Sequence, residues 1–294
     1  MPSAIHILAT PKKFAGKVAE IQKRAVMNWL HLGENVRVTV LSDDAGEFLP
    51  RDHPRLRVLR ATDGMRSGTA PEFTEVLDLA GLAADDYVLY CNSDILFTSA
   101  FVSAAVDLAR RNWLLCGHRV DLKETVVPPW LPGELDAWLQ PAISRGDAKI
   151  HDHYGIDYFG TKRKTWKGFG KAFIGRNGID GALLAHCLRT RYPIADCTGL
   201  FWAIHQWHDF SHNARGEVET RSGEHARHNL RHHKIRYGSP SLLDADFYFE
   251  DGVWSPGFRR RSKARTIERF LRFRLHISQV GIGFAAVRKL LKKF

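Results

Sequence analysis

Tyr87-Val88-Leu89-Tyr90-Cys91-Asn92-Ser93-Asp94 is the stretch on which the fold turns. Its first five residues are apolar on both faces, as strands covered on each side of a parallel sheet are. Three small polar residues then stop the run. Upstream, Ala4-Ile5-His6-Ile7-Leu8 reads as a strand ending at Thr10-Pro11. Residues 14–32 carry Val18, Ile21, Ala25, Val26, Trp29 and Leu30 at helical spacing, with Gly33 to close the helix. Val36-Arg37-Val38-Thr39-Val40-Leu41 forms a second strand before the polar turn Ser42-Asp43-Asp44, which completes a βαβ unit. Arg57-Val58-Leu59 suits a third strand and residues 73–82 a helix. Downstream, a helix at residues 101–110 and a strand at 113–116 continue the alternation. The first ~120 residues therefore predict a Rossmann-like, mostly parallel sheet flanked by helices, an α/β fold.

After Asp121 the pattern loosens into loops containing Pro and Trp, with helices expected at residues 134–144 and 180–191. A strand expected at residues 199–204 leads into a histidine-rich segment, seven of the fifteen histidines falling between His205 and His233. The expected division is one α/β domain over residues 1–235, with halves 1–120 and 121–235, then a connecting segment 236–258 and a tail 259–294.

The chain has 294 residues, 44% of them hydrophobic and 11% aromatic, enough for a large core and incompatible with disorder throughout. Its formal charge of +11 is concentrated at one end. Residues 259–294 contain twelve Lys and Arg against the single acid Glu268, while residues 1–258 are neutral overall. A neutral body argues against nucleic acid as a partner of the whole chain. Within the tail, Ile277, Val280, Phe284, Val287, Leu291 and Phe294 form one helical stripe beside Arg272, Arg274, Arg288, Lys289, Lys292 and Lys293. That combination suits an interfacial helix on an anionic membrane, and packing on the body or on a second subunit is the competing reading. Four cysteines without metal-ligand spacing and an N-terminus without signal-peptide character point to the cytoplasm, with the tail on the inner face of the plasma membrane.

Ligands of open α/β sheets bind outside the carboxyl ends of the strands, where Asn92-Ser93-Asp94 is expected to lie. A short acidic motif there can hold a divalent cation, and hard oxygen ligands suit Mg2+ or Mn2+. The competing reading is that Asp94 ends a strand or caps the next helix. Asp180, after Gly175-Arg176-Asn177-Gly178, is either a helix cap or an acid-base group, with Asp157 as its rival. His205, His208 and His212 fall within eight residues, and a metal ligand among them is expected first at His205 and then at His208.

The stretch Val88 through Leu96 is similar to the strand and Asp-x-Asp-like motif of a bacterial and plant family of GT-A glycosyltransferases. Further segments resemble that family in the same order: Gly68-Thr69-Ala70-Pro71, Gly117-His118-Arg119-Val120-Asp121, Gly155-Ile156-Asp157-Tyr158-Phe159, Phe173-Ile174-Gly175-Arg176-Asn177-Gly178-Ile179-Asp180, and His205-Gln206-Trp207-His208-Asp209-Phe210-Ser211-His212. The resemblance implies a GT-A fold, a nucleotide-diphosphate sugar donor, and a glycan or lipid-linked acceptor in capsule or lipopolysaccharide assembly. It also implies a donor pocket lined by Thr10, Pro11, Lys12, Ser42, Asp43, Arg66, Asn92, Ser93 and Asp94. A cation at Asp94 with a histidine ligand, and Asp180 as general base of an inverting reaction, follow from the same likeness. Asn92 departs from the pattern, an amide standing where the motif has a carboxylate. Two other classes compete: a sugar nucleotidyltransferase, for which the loop from Thr10 to Gly16 holds one glycine where a phosphate cradle needs several, and a membrane-associated adaptor with an inert α/β body.

Overall fold

The computed structural model describes residues 4–60, 70–208, 216–236 and 238–274. Its first strands form as their patterns predict. β1 (Ile5–Ala9) and β2 (Val36–Leu41) pair in parallel with α1 (Gly16–Leu30) as the crossover, and β3 (Leu56–Leu59) extends the sheet beyond β2. α2 (Phe73–Leu79) leads to β4 (Tyr87–Cys91), which pairs with the other side of β1 and is buried at every position. Tyr87, Leu89 and Cys91 enter one apolar cluster with Trp29 and Phe101, while Val88 and Tyr90 enter another with Phe73 and Leu183. Strand alternation thus puts apolar surface on both faces, and helices cover each.

The chain continues through β5 (Ile95–Phe97), α3 (Phe101–Arg111), β6 (Leu114–Cys116), β7 (Arg119–Leu122), α4 (Pro132–Ser144), β8 (Ala148–Ile150) and β9 (Tyr158–Lys162). α5 (Ile179–Thr190), β10 (Ile194–Asp196), β11 (Ala203–His205), α6 (Gly216–Ser222), α7 (Glu224–His232), β12 (Phe247–Glu250), β13 (Val253–Pro256) and α8 (Lys263–Arg269) follow. Nine strands make the central sheet in the order β13-β12-β10-β6-β9-β4-β1-β2-β3, and β5-β11-β7-β8 make a small second sheet. The architecture is mixed α/β, a large central sheet flanked by helices.

β9 lies antiparallel between β4 and β6, where the sequence predicts β6 beside its parallel neighbours. Gly160 interrupts its apolar run after Tyr158-Phe159, which hides it in the sequence. Gly160 is required there by space, since a Cβ would fall 2.6 Å from the Tyr87 hydroxyl. β11 is shorter than the expected strand because Gly199, at φ +86°, turns the chain in the left-handed region before Ala203.

The segment expected to connect body and tail instead closes the central sheet. β12 pairs in parallel with β10 and in an antiparallel hairpin with β13. Aromatic packing holds that edge: Phe247 stacks on Trp113 at 3.9 Å between centroids, and Trp254 meets the same ring edge-on at 5.5 Å. The tail's first residues are likewise docked. Arg265 in α8 bonds both carboxylate oxygens of Asp244 and reaches Glu268 at 3.1 Å, while Glu268 takes Arg272 at 3.1 Å. Asp244 and Glu268 are 0% and 2% exposed, so these are interior ion pairs. A charge count could not show it, because Asp244 lies far upstream of its partner. The stripe from Ile277 to Phe294 lies outside the described residues. Among those described, no helix is long and apolar enough to cross a membrane.

Removing one member of a buried ion pair leaves the other charge uncompensated at a cost of about 3–5 kcal/mol. Asp244→Ala is therefore expected to lower unfolding stability by about 3 kcal/mol in a urea titration. A loss under about 1 kcal/mol, the value of an exposed pair, would show that α8 is not anchored there.

Candidate active site

Two strand registers assemble the site. β5 runs antiparallel to β11 with Ile95 opposite His205, and β11 runs parallel to β7 with His205 opposite Asp121. Asp94, which immediately precedes β5, is thereby brought beside the end of β11, although 111 residues separate it from His205. Gln206 fixes the join: its backbone N–H and its amide both donate to the Asp94 carbonyl at 3.2 Å, and the amide also donates to Ile21 in α1 at 3.1 Å.

Asp94, His205 and His208 offer ligand atoms within 4.8 Å of one another. His208 Nε2 lies 2.9 Å from Asp94 Oδ2, and His205 Nε2 lies 3.9 Å from the same oxygen. Asp94 is 6% exposed, and its Oδ1 has no hydrogen-bond partner among the described residues. Burial by itself would push this carboxyl up. The charge of His205, the hydrogen bond from His208 and the charge of Lys12 outweigh it and hold the group well below the usual carboxylate range. A buried carboxylate with an orphan oxygen beside two imidazoles fits a divalent cation such as Mn2+, which accepts both oxygen and nitrogen. His205 is prepared for that role, since its Nδ1 lies 3.1 Å from Asp121 Oδ1, leaving Nε2 toward Asp94.

Asn92 does not join this group. Its amide donates to Asp157 Oδ1 at 2.7 Å, and its backbone N–H donates to the Asp157 carbonyl at 3.0 Å, next to the Cys91 and Tyr158 pair of the β4–β9 ladder. The other Asp157 oxygen accepts from Arg119 at 2.6 Å, and Arg119 also bonds Asp121 at 2.7 Å. Burial would weaken the proton's hold on Arg119, but Asp157 and Asp121 reverse this and raise its pKa. The result is one continuous set of contacts, from Asn92 through Asp157, Arg119 and Asp121 to His205.

Ser93 turns the other way, donating to Gln22 Oε1 at 3.0 Å. Gln22 also accepts the Lys12 backbone N–H at 2.6 Å and donates to the Lys12 carbonyl at 3.0 Å. One buried amide on α1 thus holds the loop after β1 against the motif after β4. Lys12 Nζ consequently lies 2.9 Å from His208 Nε2 and 3.2 Å from its Nδ1.

These groups line a cleft of about 890 Å³. Thr10, Pro11, Lys12, Asn92, Ser93, Asp94, His205 and His208 border it, as does Asp180 on the side of α5. Ser42 and Asp43, expected in the donor pocket, do not. Ser42 donates to Asp44 Oδ1 at 2.7 Å, and Asp44 accepts the Phe14 N–H at 2.9 Å, so this turn braces the β1 loop from behind. Arg66 and His212 lie outside the described residues. Sequence reasoning missed Gln22, Arg119, Asp121 and Gln206 as individual contributors. Gln22 carried a signal, since a polar side chain among core-facing Val26 and Trp29 needs a specific partner.

Asp180 is not a helix cap. Gly178, at φ +92°, occupies the cap of α5, and Asp180 stands in the first turn. Burial and the nearby charge of Asp157 push its carboxyl from 3.8 up to about 8. The sign for stability follows directly. Between these two values the folded chain holds a proton that the unfolded chain has lost, so stability falls as pH rises through that window. Asp180→Asn is expected to flatten the difference in urea midpoint between pH 5 and pH 8; an unaltered difference would show that Asp180 is not protonated at neutral pH.

No family model matches this chain, and no curated protein matches it. Among solved structures, the chain is similar to residues 1–349 of S. aureus TarS in complex with UDP-GlcNAc, at 13% identity and TM-score 0.48, covering 92% of this chain and 73% of that one. It is also similar to the mannosyltransferase PcManGT from Pyrobaculum calidifontis in complex with GDP-Man and Mn2+, at 14% identity and TM-score 0.44, over 98% and 74% of the two chains. Mannose-6-phosphate isomerase from Helicobacter pylori matches over 62% of this chain and 79% of its own, at 13% identity and TM-score 0.33.

Proposed function

We propose that this chain is a GT-A-type glycosyltransferase that moves a sugar from a nucleotide-diphosphate donor to a glycan or lipid-linked acceptor, with inversion, in the assembly of a bacterial surface polysaccharide. The observation that carries the reading is the Asp94 oxygen left without a partner among the described residues, beside His205 and His208, in a cleft that Asp180 also lines. Asp94, His205 and His208 would hold Mn2+ or, with less help from imidazole, Mg2+. A cation held there would supply positive charge to offset that of the departing diphosphate.

The chain's own groups supply the rest. Thr10, Pro11 and the Lys12 ammonium border the donor side, where the carboxyl ends of β1 and β4 open. Asp180 takes the proton from the acceptor hydroxyl as that oxygen bonds the anomeric carbon and the bond to the diphosphate breaks. A base titrating near the working pH suits this transfer. Asp157 is poorly suited, because Asn92 and Arg119 occupy both of its oxygens. A peripheral position on the inner face of the plasma membrane is part of the proposal. Exposed Ile267 and Phe270, three residues apart and flanked by Lys263 and Arg269, give the tail an apolar face with cations before residue 275.

UDP-GlcNAc and GDP-mannose are suitable first probes. With Mn2+, the wild-type chain is expected to bind one of these donors and slowly release its nucleoside diphosphate to water. Asp94→Ala is expected to weaken Mn2+ binding, read by electron paramagnetic resonance, at least tenfold and to abolish release. Asp180→Asn should bind donor like wild type yet lose at least about 100-fold in transfer, the lower range for a general base. Unchanged Mn2+ binding in Asp94→Ala would remove the metal assignment.

A further inference from the structure

Several cations line the cleft. On the side of β1 and β4 stand Lys12 and Lys13 with the Asp94, His205 and His208 group, which together answer the charge of a diphosphate. Arg176, Arg221 and Asp180 line the same cleft, as does Arg119, which is held by Asp157 and Asp121. Arg176 lies in the turn before α5, and Arg221 in the last turn of α6.

One residue fixes these two segments to each other. Asn177 donates its backbone N–H to the Thr220 carbonyl at 2.9 Å and its amide to the Arg221 carbonyl at 3.2 Å. Asn229 in α7, 0% exposed, supports the same turn by donating to the Asn177 carbonyl at 3.4 Å and to the Phe173 carbonyl at 2.9 Å. The arginines are therefore presented from a braced surface. Arg176 donates to the carbonyl of the adjacent Gly175 at 3.0 Å, and its buried Nε has no partner among the described residues. Burying a guanidinium nitrogen without a partner is unfavourable, and an oxyanion in the cleft would satisfy it.

We infer that Arg176 and Arg221 form an acceptor subsite for an oxyanion, so that the accepting glycan bears a phosphate or a carboxylate close to the hydroxyl presented to Asp180. This rests on the transferase reading for the word acceptor, but the anion site itself does not depend on the donor. Guanidinium forks match both oxyanions in shape and hold them more specifically than ammonium groups do.

The test is calorimetric titration of the full chain with glycerol 3-phosphate, glucuronic acid and neutral methyl glucoside. Each is titrated with and without Mn2+ and saturating UDP or GDP, so that any donor diphosphate site is filled in one arm. At least one of the two anions is expected to bind tenfold or more tightly than the neutral glycoside, and the stronger one identifies the oxyanion. The double variant Arg176→Gln/Arg221→Gln should lose that advantage, while Arg176→Lys/Arg221→Lys keeps part of it. Equal binding of charged and neutral probes by wild type, or full retention by the Gln variant, overturns the inference. Binding of UDP or GDP by wild type is read in the same experiments. Its failure while the arginine-dependent anion binding persists would reject the donor reading and leave the anion site standing.

Discussion

A carboxylate taken out of water must be compensated, and Asp94 is taken out of water with one oxygen unpartnered among the described residues. The surrounding architecture follows from that constraint. The small sheet exists to bring β11 antiparallel to β5, and this pairing sets His205 and Gln206 against Asp94. A one-residue slip would turn His205 to the opposite face and expose the carboxylate to an apolar neighbour. Gln206 prevents the slip by bonding the Asp94 backbone, α1 and, through its Oε1 at 2.7 Å, Arg24. The same α1 presents Gln22 to Lys12 and Ser93, and Asn28 to β5 through a reciprocal pair of bonds at 2.8 and 3.0 Å to Phe97. One helix thus positions three segments of the cleft.

Much of this was legible in the sequence, for physical reasons that differ by residue. β4 announced itself because a strand covered on both faces must be apolar throughout, and the polar stop after Cys91 located the site. Asp94, His205 and His208 carry chemistry that few residues supply, so their types alone singled them out. Asn92, expected in the donor pocket, does border the cleft, but the partner of its amide was not legible in advance. Its amide turns to Asp157, the residue before β9, a strand whose apolar run is interrupted by Gly160. Ser42 and Asp43 were drawn into the pocket by analogy of position, whereas the geometry of the turn directs Ser42 inward to Asp44.

The tail illustrates the limit of counting charge. Twelve cations and one acid read as a solvated, basic extension. Yet Arg265, Glu268 and Arg272 lie at helical spacing and share one buried face with Asp244, so a fraction of that charge is structural. The central sheet extends under it through β12 and β13, whose aromatic residues pack on Trp113. The sequence pattern of that hairpin, with Phe and Trp separated by a turn at Asp251-Gly252, is a hairpin signal obscured by its distance from the βαβ core.

Asp157 shows how one buried acid can govern two others without reacting itself. It is 4% exposed and both of its oxygens are engaged, by Asn92 and Arg119. Through Arg119, whose guanidinium also bonds Asp121, its charge is tied to the orientation of His205. Across the cleft the same charge, added to burial, opposes ionisation of Asp180. The two carboxylates are thereby driven apart: Asp94, surrounded by His205, His208 and Lys12, stays ionised, while Asp180, facing Asp157, retains its proton toward neutral pH. Asp157 immediately precedes β9, so the insertion of that strand between β4 and β6 sets where its charge falls.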